Sequence, residues 1–320
     1  MGRINAWWYI AVFAGACSNS TSSPPPPPTT HPAGNEVIPA PTVGARPFGV
    51  AISSKDVALV GRQDVPFLQR TALPTTSFAD SVRVGSDPDD IAFNSTGSRA
   101  YSTNLAGQTL NVIDIASGVA IDTIPFLSGP VRVLVSPNDA TFYVSTAGGT
   151  VYAFDAASLT VTHSWALRGV TNGLALSANG ATVYASSTGG ELYRFNANAT
   201  GTIDSVSILG TAQDITLTAN GTELFVANEG GSLELHNPTT LALVDTVTGA
   251  AGAFGLKATP DGVQLYATYP GSGQVRIIDR SARSVIATLP VTGTPRRIAF
   301  GQQGAIALIP NESGFVTVVH

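Results

Sequence analysis

Apolar residues along this chain come in short bursts that return every 41 or 42 residues. A period of that length is the first thing to establish, because it dictates the architecture. The units open at Pro47, Pro88, Pro130, Thr171, Ala212, Ala253 and Pro295. Thirteen residues after each opening stands a large apolar residue: Val60, Tyr101, Tyr143, Tyr184, Phe225, Tyr266 and Leu308. A turn signal lies between opening and landmark, at Ser95-Thr96-Gly97, Pro137-Asn138-Asp139, Asn179-Gly180, Asn220-Gly221 and Asp261-Gly262. Asn-Gly and Asp-Gly reach the positive φ of a tight hairpin at little steric cost. A second turn follows the landmark, at Ala106-Gly107, Gly148-Gly149, Gly189-Gly190, Gly230-Gly231 and Ser272-Gly273.

Each unit therefore reads as four short strands, in the second copy near 91–93, 100–103, 109–113 and 120–124. The first is a continuous apolar run, the mark of an inner strand buried on both faces. The outer strands are expected to alternate, with Val112 and Asp114 on one face and Ile113 and Ile115 on the other. A lone four-stranded sheet cannot shield both of its faces, so such units must stack around an axis. The expected fold is all-β: a seven-bladed β-propeller of four-stranded antiparallel blades over residues 36–320. The last unit runs out at His320 after about three strands, so its outermost strand is expected from the front of the chain, near 37–43. Pro39 and Pro41 suit an edge strand, where no N–H is needed for a ladder. In the first unit Arg62-Gln63-Asp64-Val65-Pro66 replaces the glycine turn, and its outer half is expected to be irregular.

Tyr143-Val144-Ser145-Thr146, Phe225-Val226-Ala227-Asn228 and Val112-Ile113-Asp114 resemble the Tyr-Val-Thr-Asn repeat of bacterial β-propellers. Blades of that family open with Pro-x-x-Ile/Val-Ala, as at Pro88 and Pro295. The resemblance covers about residues 36–320 and is specific for fold. It implies kinship with surface-layer and envelope proteins, lactonase-like enzymes and propeller domains of redox enzymes, and does not choose among them.

The ends of the chain change the picture. Residues 1–16 read as a secretory leader: Arg3, the apolar stretch Ala6-Trp7-Trp8-Tyr9-Ile10-Ala11-Val12-Phe13, then Ala14-Gly15-Ala16 before Cys17. That stretch is shorter than the roughly 20 residues of a membrane-spanning helix. Ala14-Gly15-Ala16-Cys17 resembles a bacterial lipobox, although Ala14 stands where that motif prefers leucine. The resemblance implies a lipidated Cys17 at the mature N-terminus, anchored by more than one acyl chain. Ser18, in place of aspartate, then favours an outer membrane or cell surface. An ordinary Ala-x-Ala cleavage site, leaving a soluble periplasmic or secreted protein, is the plainer alternative. Residues 17–35 are rich in Ser, Thr and Pro, with five consecutive prolines at 24–28. Such a segment reads as a semi-rigid, unfolded tether; a ligand for a proline-recognition module is the sharper alternative.

Charge narrows the classes further. The formal net charge is -5 and only 12% of residues are charged. That disfavours nucleic acid, whose binding rests on Lys and Arg against phosphates. One cysteine in the chain rules out an internal disulfide or a cysteine-built metal cluster.

Candidate chemistry sits where the inner strands begin. The second residue after each opening reads Gly49, Asp90, Arg132, Gly173, Asp214, Gly255 and Arg297, and the next reads Val50, Ile91, Val133, Leu174, Ile215, Leu256 and Ile298. Four charges at one repeat phase stand out in a chain so poor in them, with Arg46, Asp87, Asp89, Asn172, Gln213 and Arg296 close by. One reading is a polar funnel for a small anionic or hydroxylated ligand, with Arg132, Arg296 and Arg297 holding a carboxylate or phosphate. The other is mutual pairing, Asp90 with Arg132 and Asp214 with Arg297, since partly buried charges are paired whatever the function. Asp87-x-Asp89-Asp90 also admits a hard cation, but reads as a turn entering a blade, and no metal is assigned. His31, His163, His236 and His320 fall in different repeat phases or the tether and are expected to be exposed. The aromatic series from Tyr101 to Tyr266 is expected to pack between blades. No nucleophile elbow, P-loop or zinc signature is present, and no cofactor is assigned.

Three functions fit. The leading one is an envelope-anchored, monomeric scaffold binding a protein, glycan or small ligand at the funnel. The second is a lactonase-like hydrolase in which Asp90 or Asp214 activates water. The third is a propeller component of a redox enzyme, its cofactor held elsewhere.

Overall fold

The computed structural model describes residues 31–32, 37–38, 46–74, 77–78 and 80–320, and residues 37–38 through their backbone alone. The described strands form seven separate four-stranded sheets, the blades of a propeller. Blade 2 is representative. Its strands Pro88–Phe93, Arg99–Asn104, Thr109–Asp114 and Val119–Pro125 pair antiparallel in chain order. The first five hairpin turns named above close on positive φ at Gly97, Asp139, Gly180, Gly221 and Gly262, between 58° and 70°.

Burial runs from axis to rim. The third strand of blade 2 is buried on both faces and the fourth is almost wholly exposed. Val112 and Ile113 of the third strand face opposite sides, as expected, each packing into a different inter-blade cluster, and neighbouring blades cover both faces. The aromatic series lies between blades. Tyr101 stacks on Phe142 of the next blade with ring centroids 4.5 Å apart, and Tyr266 meets Phe300 edge-on at 5.2 Å. Phe225 packs in one cluster with Leu256 and Leu265 of the following blade.

A second tie between blades was not foreseen. Thr103, Ser145 and Thr268 stand 15 residues after their unit openings. Each hydroxyl accepts an inner-strand N–H of its own blade, from Asp90 (2.9 Å), Arg132 (3.1 Å) and Gly255 (2.8 Å). Each then donates to the inner strand of the next, at the carbonyls of Val131 (3.1 Å), Thr171 (2.8 Å) and Arg296 (2.7 Å). A hydroxyl can do both at once, having one proton and two lone pairs. The N–H groups need this because a register shift at the start of the inner strand removes ladder partners there, as between Pro88 and Asp90.

Two expectations are overturned. The outer half of blade 1 is regular: Val57–Arg62 pairs with Phe67–Ala72 in unbroken register, and the latter pairs with Asp80–Arg83. Backbone bonds from Val65 to Arg62 and from Phe67 to Val65 close the turn, helped by the Arg62–Asp64 ion pair at 2.7 Å. His236 is buried in a third strand, not exposed. It occupies the position of Ile113, Phe154, Phe195 and Ile278 in other blades, and both ring nitrogens find partners 2.8 Å away, Leu241 O and Glu234 Oε2.

The last blade takes Ala299–Gly301, Ile306–Asn311 and Phe315–Val319 from the C-terminal end. The two-residue strand Val37–Ile38 lies beside it, Val37 opposite Val319 and Ile38 opposite Val318. Residues 39–45, the leader, Cys17 and most of the tether lie outside the described residues. Of the tether, His31 meets Asp261 at 2.5 Å and Pro32 is buried.

Candidate functional site

The inner strands run side by side around the channel, so equal repeat positions form rings. The ring two residues past the openings holds the four charges, and the structure brings all four together. Arg132 Nη1 lies 3.4 Å from Asp90 Oδ1, and its Nη2 donates to Asp214 Oδ1 at 3.1 Å. Arg297 Nη1 lies 3.3 Å from Asp214 Oδ2. Both pairings expected from the sequence are present, and Arg132 joins them into one chain across the channel. The ring's glycines let neighbouring strands close in: a side chain at Gly49 or Gly255 would strike the carbonyl of Asp89 or Arg296 in the next blade.

The aspartates also serve the backbone. Asp90 Oδ2 accepts the N–H of Val133 at 3.0 Å, and Asp214 Oδ2 that of Leu256 at 3.3 Å, each in the following blade. Burial alone would raise the Asp214 carboxyl, but Arg132, Arg297 and Lys257 hold it below the ordinary carboxylate range. Burial opposes the charge on Arg132, yet Asp214, Asp90 and Asp89 lift it above its usual value. Burial and the like charge of Arg132 pull Arg297 below its own. Nη1 of each arginine is held by its ion pair alone, and Nε of both makes no hydrogen bond among the described residues.

The ring nearer the strand starts is built differently. Asp89 is buried and makes no ion pair among the described residues; its Oδ1 accepts from Gln63 Nε2 at 3.0 Å, and Gln63 Oε1 accepts from the exposed Arg46 at 2.9 Å. Burial pushes the Asp89 carboxyl up to about 7, with Arg297 opposing. Asn172 donates to Gln213 at 2.6 Å, and Gln213 to Glu229 at 2.7 Å. Arg296 pairs with Glu312 at 2.9 Å and lies over Phe254, 4.6 Å from the ring centroid. Arg297 also lies over Phe254, at 5.1 Å, and over Phe48, at 5.6 Å. Asp87, Asp89 and Asp90 do not converge as a metal-holding group.

Sequence reasoning missed Gln63, Glu229, Glu312, Phe48 and Phe254. A signal existed for most of them. The phenylalanines share the repeat phase of Asp89, and both glutamates stand 17 residues past their openings. The channel also holds a cavity away from the expected funnel mouth. It holds about 280 Å³ and sits beneath the charged layer, on the side away from the strand starts. Its walls are the aliphatic ring from Val50 to Ile298, then Ile52, Val135 and Phe300.

Fold and site together define a β-propeller whose channel is crossed by a self-neutralising charge layer. No family model matches the chain, and no curated protein matches it. Among solved structures, it is similar to hydrazine synthase of Kuenenia stuttgartiensis, at TM-score 0.79 and 16% identity over 88% of this chain and 97% of that one. It is also similar to the Cps50 (Swd1) β-propeller domain of Myceliophteria thermophila, at TM-score 0.77 and 17% identity over 88% and 98%. At such identities the likeness is one of fold.

Proposed function

We propose that this protein is a non-enzymatic binding scaffold, exported and tethered to the cell envelope, that presents the strand-start face of its channel to a protein or glycan. One observation carries the reading. Asp90 and Asp214 are each committed to an arginine and to a backbone N–H of the next blade. Carboxylates so engaged brace a rigid ring and are poorly placed to take a proton from water. The exposed Arg46 and the Arg296–Glu312 pair then offer polar contacts at that face. Pull-down from envelope extracts tests this. Loss of a captured partner with Arg46→Ala and Arg296→Ala supports it; capture unchanged by both substitutions removes the face from consideration.

The organisation proposed for the rest of the chain is a leader at 1–16, a tether at 17–35 lipidated on Cys17, and a propeller closed by residues 37–43. The pairing of Val37 with Val319 supports the closure. Cys17→Ser is expected to release the protein from membranes, and retention of the variant would argue for an ordinary cleaved leader.

A lactonase-like hydrolase is the second reading, and a different acid favours it. Asp89, its carboxyl raised to about 7 and in no ion pair among the described residues, is better poised for proton transfer than Asp90 or Asp214. Ring opening of simple lactones, lost in Asp89→Asn, would establish it; no turnover by the parent protein rules it out.

A further inference from the structure

The loops that carry the chain from one blade into the next repeat one construction on the strand-start face. Residues 126–129, 167–170 and 208–211 lead into blades 3, 4 and 5. Each loop is held at both ends by turns that join a second strand to a third. Phe126, Leu167 and Ile208 donate their N–H groups to Gln108, Gly149 and Gly190 of the blade just left, at 2.6–2.8 Å. The carbonyls of Gly129, Val170 and Thr211 accept from Ala147, Thr188 and Glu229 of the blade about to begin, at 2.8–2.9 Å. The second residue of each loop stands three before its unit opening and is bare to solvent. Leu127 is 101% exposed, Leu209 89%, and the Arg168 side chain between them 87%. Entries to other blades carry Gly85, Ala250 and Thr292 at that phase. Every other exposed large apolar side chain among the described residues is about half covered, at 48–56%.

A single bare leucine is ordinary. Two at one repeat phase, on braced loops and with an arginine of the same phase between them, make a surface. Arg168 meets a carboxylate only at 3.9 Å, in Glu191, and an exposed pair at that distance contributes little. Because the loops are already fixed, covering them costs little ordering. We propose that this arc docks a protein partner through a segment bearing two apolar side chains with an acidic one between them. The apolar groups cover leucine surface that water otherwise wets, and the carboxylate takes the open donors of Arg168. A glycan is not the occupant, since leucine offers its hydroxyls no hydrogen bond. Nor is the membrane that the tether would reach: His31 of the tether meets Asp261 in a first hairpin turn, at the opposite end of the blades from these loops. The inference rests on the scaffold reading above and names the partner class for it.

A phage library of random dodecapeptides, selected on the full chain and counter-selected on the Leu127→Ser/Leu209→Ser double variant, tests the assignment. The recovered peptides are expected to place Asp or Glu between apolar residues. Fluorescence anisotropy of one such synthetic peptide is expected to show a Kd raised at least about tenfold by either leucine substitution and by Arg168→Glu. Leu243→Ser, at a half-covered leucine on a fourth strand, is expected to leave it unchanged. The substituted side chains are all exposed, so each variant is expected to keep the parent melting curve. No enrichment over the double variant overturns the proposal, as does enrichment of basic or purely polar peptides, or binding indifferent to Arg168→Glu. Envelope pull-down separates the two readings. A partner lost with Arg46→Ala and Arg296→Ala but kept by the double variant leaves the scaffold standing and overturns this inference, whereas a partner kept by every variant removes the face itself.

Discussion

Asp214 places Oδ2 3.3 Å from Arg297 Nη1, joining blades 5 and 7 across the channel. The same carboxylate holds Arg132 at 3.1 Å and the Leu256 N–H at 3.3 Å. Removing its charge leaves two buried guanidiniums facing each other. Asp214→Asn is expected to cost about 3–5 kcal/mol, the usual penalty for breaking one side of a buried ion pair. Chemical denaturation measures it. Because the Asp214 carboxyl is held low, its contribution is full at neutral pH and lost as pH falls below the ordinary carboxylate range.

Asp89 behaves in the opposite sense. Its carboxyl rises from the ordinary 3.8 to about 7 on folding, so the folded state holds an extra proton between those values. That contribution is complete below about 4 and lost as pH rises through 7. Melting temperature is therefore expected to decline from pH 4 to 8, and Asp89→Asn to flatten most of the slope. Burial also raises Asp87, which leaves a smaller residual slope of the same sign. Calorimetry across that range decides, and an unchanged slope in the variant contradicts the assignment.

The hydroxyl clasps are separable from packing. Thr268→Val keeps shape but orphans the Gly255 N–H and the Arg296 carbonyl that Thr268 serves. A loss of about 1–3 kcal/mol is expected, and Thr268→Ser is expected to recover most of it. Urea titration of the pair reads the difference.

Steric closeness of neighbouring inner strands gives a paired test. Gly255→Ala presses a methyl onto the Arg296 carbonyl, whereas Gly201 has nothing within 4 Å. The first is expected to destabilise by about 1–3 kcal/mol. The second, with no positive φ to relieve, is expected to be neutral or slightly stabilising.

Inter-blade aromatics carry the largest single burials. Phe225→Ala empties a wholly buried site between blades 5 and 6, and about 3–5 kcal/mol is expected to be lost. Phe225→Leu, which retains most of the volume, is expected to lose markedly less in the same denaturation experiment.

Much of this architecture was legible along the chain. The return of Pro88, Pro130 and Pro295 to one phase, the glycine turns and the buried landmark from Tyr101 to Tyr266 follow from local rules. A strand needs apolar residues, a hairpin needs positive φ, and a lone sheet needs a neighbour. Even the Asp90–Arg132 and Asp214–Arg297 pairs could be named, because equal repeat phase puts residues in one ring. Position around and along the axis was not legible. That Arg132 reaches Asp90 and Asp214 together, that Phe48 and Phe254 lie under Arg297 and that His236 is buried all depend on how the side chains of different blades meet. Those contacts are set by seven sheets closing on one another, and no stretch of sequence contains them.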